Sequence, residues 1–65
     1  MSLALEKMHK AMDSLIRAMK DYDKGKIRAS IGDLDFVKEN AQEAIYLLLA
    51  ELEKVNENGK ELSNG

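Results

Sequence analysis

Apolar residues recur at alternating intervals of three and four along the first third of the 65-residue chain. Such an a/d repeat places its members along one side of an α-helix and is typical of helices that pack against another helix. We predict a first helix over about residues 3–24, because Ser2 can cap its start and Gly25 can end it. The residues of this first seam are Leu5, Met8, Met12, Leu15, Met19 and Tyr22.

A second periodic segment follows a polar break in the sequence. Its apolar residues form a stripe broader than an a/d seam, and the chain has no proline to interrupt either segment. We predict a turn over residues 24–26 and a second helix over about 27–57, because Ile27 is already in register with the later stripe. The alternative is a start near Asp33, which would leave Gly32 outside the helix.

Two helices joined by so short a turn form an antiparallel hairpin, so the predicted fold is all-α, with one domain over residues 1–57. The remaining residues, 58–65, are polar and are predicted to form a flexible tail. Alanines recur every seven residues beside the first seam, at Ala4, Ala11 and Ala18. Their small side chains would let a second helix approach closely.

The predicted hairpin has more apolar surface than one chain can cover. Folding the second helix back places Leu3 opposite about residue 47, so the apolar residues beyond that level have no partner within the chain. We therefore expect two hairpins to associate into a four-helix bundle, with a dimer favoured over a tetramer. The leucines and methionines of the first seam are expected to pack against Leu34, Val37, Ala41, Ile45, Leu48 and Leu52. The predicted oligomer interface comprises Leu5, Met8, Met12, Leu15, Met19, Phe36, Leu47, Leu48, Leu49, Leu52 and Val55.

Charge is distributed unevenly along the chain. Residues 1–32 have a net charge of +3 and residues 33–65 a net charge of −5, so we expect a basic first helix to lie along an acidic second helix. The basic residues also raise an alternative function, binding of RNA or DNA through phosphate contacts. Acidic residues interrupt this basic line, and no aromatic side chain lies within it for stacking. Its predicted contact residues are Lys10, Arg17, Lys20 and Lys24.

The residues that carry metal and catalytic chemistry are scarce. The chain has no cysteine and one histidine, His9, which excludes thiolate chemistry and a multi-histidine metal centre within one chain. Glu39 and Glu43 lie one helical turn apart, and a metal- or ligand-binding bundle built on them is a third hypothesis. No serine, histidine and acid recur at a catalytic spacing, so we predict a protein that is not an enzyme and needs no cofactor.

No apolar run approaches the ~20 residues of a membrane-spanning helix, and the N-terminal residues lack the layout of a signal peptide. We therefore expect a soluble, cytoplasmic protein with no membrane partner. The leading interpretation is a non-enzymatic helical interaction module that homodimerises into a four-helix bundle and acts through its assembled surface.

Two resemblances accompany this interpretation. The hairpin with heptad seams and a polar tail resembles the architecture of the Rop-type RNA-binding hairpin dimers. The stretch Leu15–Ala18, Gly25 and the run Ala41–Leu48 are similar to the central helical pair of HEPN domains, over roughly residues 12–52. The catalytic arginine and histidine of that family are missing from the second helix, so the resemblance implies no ribonuclease activity.

Overall fold

The structure, a computed structural model, describes residues 2–57. Two helices, α1 (Leu3–Asp23) and α2 (Ile27–Glu57), pack side by side as an all-α hairpin, and this part of the fold prediction is confirmed. The tail predicted for residues 58–65 lies outside the described residues.

The ends of α1 are held by local hydrogen bonds. At its start, the Ser2 Oγ accepts a hydrogen bond from the Leu5 N–H at 3.0 Å, as an N-cap does. At its end, Gly25 adopts a φ of 77°, a conformation that glycine reaches without strain. The Gly25 N–H donates to the Tyr22 carbonyl, and the Lys26 N–H donates to the Asp21 carbonyl at 2.8 Å. This pair of bonds is a Schellman motif, which closes α1 and turns the chain back.

The second helix begins at Ile27, the earlier of the two starts considered, so Gly32 lies within α2. The turn between the helices consists of Lys24, Gly25 and Lys26, and we call this end of the hairpin the turn end. The Ser30 N–H donates to the Lys26 carbonyl at 3.0 Å and so completes the first turn of α2.

Two ion pairs between the helices define the register of the hairpin. The Lys7 Nζ lies 2.6 Å from a Glu43 carboxylate oxygen, and the Arg17 Nε lies 3.5 Å from an Asp33 oxygen. Both pairs join a basic side chain of α1 to an acidic side chain of α2, and they share one register, which places Leu3 level with position 47. Because α1 has 21 residues and α2 has 31, residues 48–57 run past the start of α1. We call residues 48–57 the α2 extension.

The contact between α1 and α2 is made by small side chains. Ser30 lies in this contact and donates a hydrogen bond from its Oγ to the Ala18 carbonyl at 2.9 Å, directly between the helices. A hydroxyl that reaches the backbone of the neighbouring helix requires the two helices to lie close together. The residues buried in the contact are Ala4, Ser14 and Ala18 on α1 and Ser30, Asn40 and Ala44 on α2.

The large apolar side chains flank this contact rather than fill it. We predicted that the first seam packs against an apolar set on α2, but every large side chain of the first seam is at least 40% exposed. The difference arises because two seams run side by side on α1, one residue apart. The seam that contains the alanines faces α2, and the seam of leucines and methionines lies beside this contact. Val37 and Leu47, which are half-buried, are the large apolar residues that come nearest to the interior among the described side chains.

Candidate interaction surface

One side of the hairpin is a continuous apolar surface, which we call the apolar face. Its side chains are 40–55% exposed, although each belongs to a residue type that prefers burial. Helical spacing places them along one edge of α1 and along the facing edge of α2. The apolar face comprises Leu5, Met8, Met12, Leu15 and Met19 on α1 and Leu34, Ile45, Leu48 and Leu52 on α2.

Near the turn end, the apolar face is indented by a groove of about 400 Å³, which we call the apolar groove. Ala18 and Ser30 form its floor, because both are buried in the contact between the helices. Leu34 lies on the α2 side and Tyr22 near the turn. The residues that line the groove are Leu15, Ala18, Met19, Tyr22, Asp23, Ser30 and Leu34.

The structure brings together most, but not all, of the residues predicted for an oligomer interface. Those of the first seam share the apolar face with Leu48 and Leu52. Phe36 is 53% exposed and lies on the other side of the hairpin, whereas Leu47 is half-buried beside the contact between the helices. Leu49 is exposed, one helical position beyond Leu48 and outside the apolar face. The side chain of Val55 lies outside the described residues.

The opposite side of the hairpin carries a cleft of about 410 Å³, which we call the charged cleft. Basic side chains of α1 face acidic side chains of α2 across it, and Phe36 is the aromatic residue in its lining. The hairpin therefore has one apolar and one charged side, separated by the small residues of the helix contact. The cleft is lined by Lys7, Lys10, Asp13, Ser14, Arg17, Phe36, Glu39, Asn40 and Glu43.

The residues predicted to contact nucleic acid are divided by this geometry. Lys10 and Arg17 line the charged cleft, while Lys20 and Lys24 are exposed outside it. Arg17 is engaged within the chain, because it pairs with Asp33 and donates a hydrogen bond to the Ser14 Oγ at 3.2 Å. A guanidinium held in this way has fewer donors left for a phosphate. Binding of RNA or DNA stays a prediction, and this arrangement does not favour it.

Asp33 carries the clearest electrostatic perturbation of the hairpin. Its Oδ2 is buried and has no hydrogen-bond partner among the described residues. A protonated Asp33 can donate a hydrogen bond to the Asp21 carboxylate, and this contact raises the pKa of Asp33 above its ordinary value of 3.8. Desolvation and the negative charge of Asp21 raise the pKa further, while the Arg17 guanidinium opposes the rise.

Asp33→Asn is expected to remove one component of the pH dependence of stability. Because the pKa of Asp33 is raised in the folded chain, its stabilising contribution is complete below the unfolded-state pKa of about 4 and is lost as the pH rises through the folded-state pKa. Thermal unfolding should therefore show wild type losing stability relative to Asp33→Asn as the pH rises above about 4. Asp35→Asn is the control, because the Asp35 side chain is 68% exposed. A constant difference between wild type and Asp33→Asn at every pH would contradict this assignment.

Glu39 and Glu43, the candidate metal ligands, both line the charged cleft, where Glu43 is paired with Lys7. Within the part of the chain that the structure describes, no three histidine, cysteine or acidic side chains come together in a group that could hold a metal ion. Over their described lengths, neither α1 nor α2 has a stretch long and apolar enough for a membrane crossing.

The buried polar residues of the helix contact were not predicted as part of it. Ser14 lies seven residues from Lys7 and from Asp21, and these three alternate with the alanines at intervals of three and four. Because they recur with the same period as the alanines, the sequence did contain an indication that they face α2.

Comparison of the chain with protein-family models, curated proteins and solved structures found no match.

Proposed function

We propose that this protein is a non-enzymatic helical interaction module that homodimerises through the apolar face into a four-helix bundle and acts through its assembled surface. The observation that carries the proposal is that small side chains are buried between the helices while large apolar side chains are exposed. The buried apolar residues of the described chain are Ala4, Ala18 and Ala44, while the described leucines, isoleucines and methionines, apart from the half-buried Leu47, are at least 40% exposed.

A contact of this kind stabilises a hairpin weakly. Each buried methyl group contributes only about 1 kcal/mol, whereas ordering the backbone costs a similar amount for every residue of both helices. Covering the leucines and methionines of the apolar face would add about 1.5–3 kcal/mol for each side chain that becomes fully buried. The largest available gain in stability therefore lies on a surface that one copy leaves in water.

A second copy is the occupant that best fits the apolar face. The face runs along both helices at heptad-like spacing, so it presents an a/d seam to whatever covers it. A two-fold axis would bring the same seam from another copy onto it, and each copy would then cover the other with a matching set of side chains. The result is a bundle in which the small-residue contact lies within each hairpin and the large residues lie between hairpins.

Two aspartate substitutions on α2 test which side of the hairpin associates. Leu34 is 46% exposed on the apolar face, and Phe36 is 53% exposed in the charged cleft. The two residues therefore lie on opposite sides of the hairpin and have similar exposure. Leu34→Asp places a charge in the proposed interface and should raise the dimer Kd by about 100-fold or more. Phe36→Asp, the matched control, should leave the Kd within about threefold of wild type, measured by sedimentation equilibrium.

Either of two results would overturn the proposal. A wild-type chain that sediments as a monomer at micromolar concentration would show that the apolar face does not bind a second copy. Equal weakening by Leu34→Asp and Phe36→Asp would show that association does not depend on the apolar face in particular.

A further inference from the structure

The apolar groove and the α2 extension are unpartnered features at opposite ends of the hairpin. The groove lies near the turn end, and Met19 of α1 and Leu34 of α2 are among the residues that line it. The α2 extension projects past the start of α1, and its Leu48 and Leu52, which lie beyond the level of Leu3, are 42% and 47% exposed. Within one chain the two features cannot meet, because the 14 helical residues from Leu34 to Leu48 hold them about 21 Å apart.

We infer that the α2 extension of one copy lies over the apolar groove of a second copy, in an antiparallel dimer whose turn ends point in opposite directions. This inference rests on the proposed function, since it assumes that two copies associate through the apolar face. It adds the orientation of the copies and assigns the occupant of the groove.

The lengths of the helices favour this arrangement. At 1.5 Å per residue, α2 is about 46 Å long and α1 about 31 Å long, so an antiparallel dimer places the α2 extension of each copy beside the two-helix part of the other copy. Full antiparallel overlap puts the two-fold axis at the middle of α2, beside Gln42. Leu52 of one copy then lies level with the stretch between Ser30 and Leu34 of the other. Those two residues line the apolar groove.

Charge favours the same orientation. Residues 20–28, around the turn, include four basic and two acidic residues, whereas the α2 extension includes three acidic residues and one basic residue. An antiparallel dimer sets each basic turn end beside an acidic extension, at both ends of the bundle. A parallel dimer would set like charges together at each end, and such contacts disfavour an assembly.

A parallel dimer would also leave the apolar surface less well covered. The two α2 extensions would then lie beside each other without α1 from either copy, as an isolated helix pair. Leu48 and Leu52 would stay partly exposed to water on the sides that α1 covers elsewhere in the bundle. The apolar groove of each copy would face another groove, with no projecting element to enter it.

A single spin label near the turn measures the orientation. The chain has no cysteine, and Ala29 is an exposed, uncharged residue in the first turn of α2, so Ala29→Cys gives one label per copy. Pulsed dipolar EPR on the full chain should give a distance between labels of about 40 Å for the antiparallel dimer, from the rise of an α-helix. A parallel dimer would place the labels within about 20 Å, the width of two helix layers.

Each outcome has a separate meaning. A distance of about 40 Å that disappears on dilution with unlabelled chain would support the antiparallel dimer. A short distance would overturn the inferred orientation but leave the proposed homodimer intact. Absence of any dipolar interaction, together with a monomer mass in light scattering, would overturn the homodimer itself and show that something other than a second copy covers the apolar face. A modulation depth for four labels would contradict the dimer in favour of a tetramer.

Discussion

Leu48→Asp is expected to abolish dimerisation and to unfold the hairpin in the same experiment. Leu48 lies on the apolar face at the beginning of the α2 extension, just past the level of Leu3, and is 42% exposed in one chain. In the proposed bundle its side chain becomes buried, and an ionised carboxylate there would cost about 3 kcal/mol or more in each copy. Because the apolar residues that the hairpin alone buries are alanines, the loss of association should remove most of the helix content.

Circular dichroism and sedimentation velocity on the same samples measure the two effects together. Tyr46→Asp is the control, because Tyr46 is 60% exposed on α2, away from the apolar face, and its hydroxyl accepts a hydrogen bond from Gln42 in the same helix. Both substitutions place aspartate in the middle of a helix, so they share the same small loss of helix propensity. Should Leu48→Asp give a monomer with full helix content, the hairpin would be stable alone, and the link between folding and assembly would be wrong.

The helices and the turn could be predicted from the sequence because local interactions determine them. Spacing at three and four residues, a serine cap and a glycine in a left-handed conformation act within a few residues of each other. The register followed from the same information, since a three-residue turn between two helices leaves little freedom. Leu3 therefore lies level with position 47, as the ion pairs of Lys7 and Arg17 show.

The side of α1 that meets α2 could not be chosen from the sequence alone. Two seams with the same period run next to each other, one through Ala4 and Ala18 and the other through Leu5 and Leu15. Periodicity identifies both seams but does not say which one packs within the chain. Large side chains gain more from burial, whereas small ones allow close approach and a direct bond such as Ser30 to the Ala18 carbonyl. The outcome depends on three-dimensional packing, and in the hairpin the small seam meets α2.

The electrostatic features of the helix contact could not be predicted from the sequence for a related reason. Asp21 and Asp33 are twelve positions apart and belong to different helices, so their proximity depends on the register and on the facing seam together. In the sequence, Asp33 is one of several acids near the start of a helix, a position favoured by the helix dipole. Its buried Oδ2 and raised pKa arise only once Ser30 and Ala18 bring the helices into contact.

Ala18→Leu should separate the effect of the small-residue contact from that of the apolar face. Ala18 is 2% exposed, and its carbonyl accepts the Ser30 hydrogen bond across the contact between the helices, at the floor of the apolar groove. Leucine at this position would push α1 and α2 apart, break that hydrogen bond and lower the free energy of unfolding by about 1–3 kcal/mol. Urea unfolding followed by circular dichroism measures the change.

The matched control is Ala50→Leu, because Ala50 is an exposed alanine in the α2 extension and lies outside the apolar face. Adding the same atoms there should change the free energy of unfolding by less than about 0.5 kcal/mol, as at most surface positions. Ala18→Leu keeps every large side chain of the apolar face but places leucine in the floor of the apolar groove, so this variant should form a weaker dimer than wild type, whereas Leu48→Asp forms none. If Ala18→Leu were as stable as Ala50→Leu, the helices would not be in close contact at Ala18, and the large seam rather than the small one would lie within the hairpin.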